Sequence, residues 1–227
     1  MLIPVKDENP TRRFPWVTLL LIAINIIVYY LQMRSGIKVG NHIIERYALY
    51  PKVIKESVLH GEPLTFTTIE SMLTHMFMHG GWLHLGGNML FLWIFGNNVE
   101  DVLGKLRYLV FYLGSGFVAA LTHIALHSSS NIPIIGASGA VAGVLGGYML
   151  LYPHAKVVTA LVIPIPFIWG LIRFVRIPAM LLLGLWFLLQ FFSGIVSPLQ
   201  PTAGMQVAYF AHVGGFIAGM LLIGIMK

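Results

Sequence analysis

The chain has 227 residues, 57% of them hydrophobic and 10% charged, with a formal net charge of +6 and no cysteine. A soluble domain carries roughly 25% charged residues; this composition excludes a water-soluble globule, because a core of this size cannot hide so much apolar surface and lipid must cover part of it. Disulfides and a thiol nucleophile are excluded as well, and the basic residues lie mainly between apolar segments, where they set topology rather than bind nucleic acid.

Residues 1–13 are polar, carry Lys6, Arg12 and Arg13, and read as a cytoplasmic tail. The apolar run 14–32 is about long enough to span a bilayer. It ends in Gln32-Met33-Arg34, which offers no small-residue cleavage site, so an uncleaved first helix is expected rather than a signal peptide. Residues 33–70 are too polar to span and predict a long outer loop with short interfacial helices. A second span is expected over 72–95, a third over 108–126 and a fourth over 136–152. Residues 155–177 are apolar, but Pro164 and Pro166 would disrupt a helix there, which predicts an interfacial loop or short hairpin. Spans over 179–195 and 205–226 complete the chain. The expected fold class is an all-α membrane protein, a bundle of about six transmembrane helices, with 14–227 as one domain.

Lys and Arg sit in alternate connections, which places both termini inside. The connection after the first helix is the exception, with Arg34, Lys38, Arg46, Lys52 and Lys55, and is read as a folded outer domain. Six spans make the fourth and sixth helices parallel. Ser138, near the start of the fourth, and His212, about two turns into the sixth, then share a depth just below the outer surface.

A serine attacks a carbonyl only when a base takes its proton. His212 stands alone in an apolar helix, and ionisable residues at membrane depth are costly and usually functional. Neither helix holds an Asp or Glu, so a Ser-His dyad is expected rather than a triad. The oxyanion of an acyl transfer needs donors. His84 and Asn88 share one helix face at a spacing of four, and the Ser138 N–H at a helix start is a further donor. His75 and His79, nearer the polar boundary, are candidates for cavity support. Gly139, Gly143 and Gly147, with Ala211, Gly215 and Gly219, form small-residue stripes that predict close helix packing rather than chemistry. Taken singly, Ser138 reads as a helix serine bonded to its own backbone, and Asn88 as interhelical glue; the combination argues for a site.

These residues carry a resemblance. Gly136-Ala137-Ser138-Gly139 resembles the G-x-S-G nucleophile motif of rhomboid proteases, and Ala211-His212-x-x-Gly215-x-x-x-Gly219 the family's last helix. His79-x4-His84-x3-Asn88, preceded by His75, is similar to the second. The resemblance runs from Trp16 onward. It implies a six-helix core and cleavage of membrane-anchored protein substrates near the outer membrane surface. Ser138 would be nucleophile, His212 base, and His84 with Asn88 would serve the oxyanion. No metal, nucleotide or other cofactor is implied, and no nucleic-acid partner. Two departures stand out. Ala142 occupies a position where some members carry an aromatic residue on the histidine, so something else must orient His212; and the first loop lacks a Trp-Arg pair. Two other readings stay open: a non-catalytic rhomboid-like protein that holds membrane clients, and a His-dependent metal or proton transporter using His75 and His79. The short tails and absence of an evident targeting peptide favour a prokaryotic plasma membrane.

Overall fold

The fold follows from where apolar runs are long enough to be helices and where proline or glycine interrupts them. In a computed structural model describing residues 2–34, 36–165, 168–197 and 207–227, strand β1 (Leu2–Asp7) leads into helix α1 (Trp16–Arg34). Three short helices follow: α2 (Gly36–Tyr47), α3 (Pro51–Leu59) and α4 (Phe66–Thr74). A 3-10 turn, His75–Phe77, precedes α5 (Trp82–Leu103), α6 (Lys105–Leu126) and α7 (Ser138–Leu151). Strands β2 (Lys156–Ile165) and β3 (Ile168–Pro178) then lead to α8 (Ala179–Val196) and α9 (Tyr209–Met226). The protein is thus a mostly helical, multi-span bundle: α1, α6, α8 and α9 are each long and apolar enough to cross a membrane.

Local chemistry sets the boundaries. The carboxylate of Glu100 accepts from the backbone N–H groups of Val17 and Thr18 at 2.9 and 2.8 Å, capping α1 with a side chain from α5. Asp101 accepts from the backbone N–H groups of Arg12 and Arg13 in the segment that leads into α1. Pro51 opens α3, where its missing N–H costs nothing. Gly104, at φ +74°, makes the sharp break between α5 and α6 in a backbone region that side chains disfavour.

Helix α7 lies at the centre, packed by α5, α6 and α9. Its Val144, Leu145 and Tyr148 are fully buried with Phe95 of α5, Phe111 and Tyr112 of α6, and Phe216 of α9. The peripheral helices show lipid-type faces instead, with Leu20, Ile27 and Leu31 exposed on α1 and Leu181, Leu185 and Phe192 on α8. At 14 residues, α7 is about 21 Å long, short of the roughly 30 Å hydrocarbon core.

Several expectations need correcting. Residues 1–13 are not simply a tail, because 2–7 form an edge strand of a three-stranded antiparallel sheet, order β1-β2-β3, in which Asp7 pairs with Val157 and Ile3 with Ala160. Of the two forms expected for 155–177, the antiparallel pairing of β2 with β3 matches the hairpin and not the loop; residues 166 and 167, Pro166 among them, lie outside the described residues. Main-chain pairing over β2 and β3 supplies what the prolines deny a helix. The second long helix does not run over 72–95: α4, the 3-10 turn and an extended stretch reaching Gly80 precede it, and it continues past Phe95 to Leu103. His75 and His79 therefore do not share a helix with His84 and Asn88. The segment 33–70 does carry the short helices expected of it, α2, α3 and the start of α4, while the central helix is shorter than 136–152. Of the last expected span, 205 and 206 lie outside the described residues.

The sheet is tied to the bundle by buried polar groups. Asp7 Oδ2 accepts from the Tyr148 hydroxyl at 3.0 Å and from Asn98 Nδ2 at 2.7 Å, and Asn98 Oδ1 accepts from Asn9 Nδ2 at 2.9 Å. Burial pushes the Asp7 carboxyl above the usual carboxylate range, a rise that these hydrogen bonds partly oppose.

Candidate active site

Glycine packing brings the key side chains together. A Cβ on Gly215 would run into the carbonyl oxygen of Gly139, and one on Gly219 into that of Gly143, so α9 lies backbone to backbone on α7, the two helices running parallel. The stripe on α7 itself serves mainly α6: a Cβ on Gly139 would sit 2.7 Å from Ala119 Cβ, one on Gly147 2.8 Å from Phe111 Cζ, and one on Gly143 would strike Ser115.

This approach leaves Ser138 and His212 in contact. Ser138 begins α7, His212 lies in the first turn of α9, and His212 Nε2 is 2.8 Å from Ser138 Oγ. The other ring nitrogen, Nδ1, is 2.8 Å from Gln190 Oε1 on α8. That oxygen can only accept, so Nδ1 carries the proton and Nε2 presents its lone pair to the serine hydroxyl. Trp186, one turn before Gln190, lies against the same imidazole with ring centroids 5.9 Å apart at 32°. Sequence reasoning singled out neither residue. The available signal was an isolated amide inside the apolar run of α8, of the kind that bonds across helices.

His84 and Asn88 reach the same cavity from α5. The cavity has a volume of about 880 Å³, and Ser138, His212, His84, Asn88, Gly136 and Gln190 supply polar atoms or close backbone to its lining. His84 Nδ1 accepts a long hydrogen bond from Gly80 N–H at 3.4 Å, which puts the ring proton on Nε2. That nitrogen faces the loop before Ser138, since a Cβ on Gly136 would lie 2.6 Å from it. Gly136 is at φ +120°, so both conformation and space require glycine there. Asn88 Nδ2 lies 2.9 Å from His79 Nε2.

His75 and His79 stand behind this front. His75 Nδ1 bonds Ser71 O at 2.8 Å, and its carbonyl accepts from Gly136 N–H at 2.9 Å, so the 3-10 turn holds the loop that leads to the serine. His79 is held by its backbone: Gln32, from the end of α1, accepts from His79 N–H at 3.2 Å and donates to its carbonyl at 3.3 Å. Gln32 is a third residue that sequence reasoning missed. Its partner lies 47 positions away and no local pattern announces it.

Fold and site define a helical membrane protein with a serine-imidazole pair facing a cavity inside the bundle. Residues 67–227 match the Rhomboid domain, and the chain belongs to the rhomboid family. It is 36% identical over 100 residues to Rhomboid protein 1, mitochondrial, of Saccharomyces cerevisiae, covering 42% of this chain and 29% of that one. It is 32% identical over 138 residues to Rhomboid protease GluP of Bacillus subtilis, covering 61% and 24%. To RHOMBOID-like protein 4 of Arabidopsis thaliana the identity is 35% over 158 residues, covering 66% and 32%. The chain thus matches between about a quarter and a third of the length of these relatives.

Proposed function

We propose that the chain is an intramembrane serine endopeptidase that cleaves membrane-anchored protein substrates with Ser138 and His212. The observation that carries this reading is the 2.8 Å contact between Ser138 Oγ and His212 Nε2 beside a cavity within an apolar bundle. Family membership supports it, and so does the description of one relative as a rhomboid protease. A protein that only holds clients has no need of a base aligned on a serine.

In the first step His212 Nε2 takes the Ser138 proton as Oγ bonds to the scissile carbonyl carbon. The carbonyl π pair moves onto oxygen, where the His84 Nε2–H, an Asn88 N–H and the Ser138 backbone N–H receive it. Collapse expels the amine, which takes the proton from His212, and leaves an ester on Ser138. Water then gives its proton to His212, attacks the ester carbonyl and releases the acid, and the proton returns to Ser138. Because α7 is shorter than the bilayer core, its first residue lies below the membrane surface when its other end reaches the opposite face. A client helix must unwind to reach it, so small or helix-breaking residues near the cleavage site favour cleavage. We place the site toward the outer face and both termini in the cytoplasm, following the charge alternation of the connections.

The test is cleavage of a transmembrane reporter in liposomes by wild type, Ser138→Ala and His212→Ala, with chelator added in parallel. Both substitutions are expected to lower turnover by roughly 10³-fold or more, and chelator to leave it unchanged. Full cleavage by Ser138→Ala would sink the assignment. A folded but inert wild type, across several reporters, would favour the client-holding reading, and chelator-sensitive activity the metal one.

A further inference from the structure

The base in this site has a fixed partner behind it. His212 Nδ1 and Gln190 Oε1 are 2.8 Å apart, the same separation as on the serine side of the ring. Among the described residues, the titratable groups that bear on His212 are His84 from α5 and His123 from α6, with no carboxylate among them. A neutral imidazole has a single N–H, and the partner at one nitrogen decides which nitrogen keeps it. An acceptor at Nδ1 selects the form whose Nε2 lone pair can take the serine proton. Trp186 and Gln190 are four apart, so one face of α8 supplies both the acceptor and a wall for the ring.

We infer that Gln190 is a positioning residue for the base: its amide oxygen holds His212 in the productive tautomer and ring orientation, standing where soluble serine hydrolases use a carboxylate. This rests on the Ser138–His212 reading above. An amide suits the place. A carboxylate would be ionised at membrane depth, a state that carries a heavy desolvation cost in the resting protein. The amide gives direction without charge, and the positive imidazolium formed during reaction is still stabilised by the carbonyl dipole. The same contact accounts for the absence of an aromatic residue at position 142: His212 is held from α8 rather than from α7.

The experiment follows Ser138 phosphonylation by a fluorophosphonate, in which Oγ bonds to phosphorus and fluoride leaves, and cleavage of the transmembrane reporter, both against pH, for wild type, Gln190→Met and Gln190→Glu. Methionine keeps the size and removes the acceptor. Its phosphonylation rate and kcat should fall together by about tenfold with KM near wild type, the loss of one hydrogen bond to the base. Glutamate keeps the acceptor and adds charge. It should recover most of the phosphonylation rate, and the acid limb of its pH profile should move up by about one unit, because a carboxylate favours the imidazolium. A Met variant phosphonylated at the wild-type rate would overturn the inference, even if it cleaved the reporter slowly, since that pattern means altered substrate entry beside α8. So would a Glu variant as slow as Met with an unmoved acid limb. Thermal unfolding in detergent separates lost positioning from lost fold. Ser138→Ala in the same assays tests the underlying reading on its own: phosphonylation that persists there removes the dyad, and the role of Gln190 with it.

Discussion

A single histidine can act as a base only if its free lone pair is aimed at the serine, and each neighbour at this site has a definable part in that aim. In the proposed reaction Asn88 would have a double duty on the oxyanion side. Its side-chain amide has two N–H donors, and one is spent on His79 at 2.9 Å. The other remains for a developing negative charge. Asn88→Ala is expected to lower turnover by about tenfold, below the roughly 10²–10³ typical of a fully used donor, because His84 and the Ser138 N–H remain. Turnover in liposomes at unchanged substrate affinity is the measurement, and an unaltered rate would remove Asn88 from the site. These side chains were legible in the sequence because a histidine or asparagine within an apolar run is conspicuous and expensive. Gln190 belongs to the same class of signal, but a run such as Ala179–Val196 is apolar on every face, and periodicity does not say which side meets lipid.

At the scale of elements, the parallel contact between α7 and α9 sets the distance between Ser138 and His212, the proposed nucleophile and base. Where a Cβ would strike backbone rather than a movable side chain, the helices must separate. Gly215→Val puts three carbons against the Gly139 carbonyl, one residue from the nucleophile. It should destabilise the fold by about 1–3 kcal/mol, the usual range for overpacking, and slow Ser138 phosphonylation beyond what the lower stability explains. Gly224→Ala on the same helix, with nothing within 4 Å, should change neither. Unfolding curves in detergent with parallel fluorophosphonate labelling check both. The glycine spacing was visible in the sequence, but its division of labour was not: the stripe on α7 accommodates Ala119, Ser115 and Phe111 of α6 while α9 presses on its carbonyls.

For the molecule as a whole, the sheet and the bundle meet at Asp7, and that junction responds to pH. Burial holds its carboxyl above the ordinary range, so the folded state binds the proton more tightly than the unfolded chain. The resulting stabilisation is full below the unfolded value and is lost as pH rises through the folded one. Asp7→Asn keeps an oxygen for Tyr148 and Asn98 without the charge. Its thermal unfolding should depend less on pH than wild type as pH rises above the ordinary carboxylate value of about 4, with equal or higher stability once the wild-type carboxyl has ionised; an unchanged slope would mean that Asp7 does not carry the effect. Nothing in Leu2–Asp7 foretold a strand, because its partner lies some 150 positions away and pairing needs the whole bundle to bring Val157 into reach. By itself the sequence determined the class of molecule and singled out Ser138 and His212, the pair proposed to react: apolar length demands lipid, and polar atoms placed in lipid declare themselves. Only the tertiary structure decided what lies behind His212, which helix faces which, and that the N-terminal strand pairs with β2. Those depend on contacts between distant residues, which the folded chain brings together and local composition does not encode.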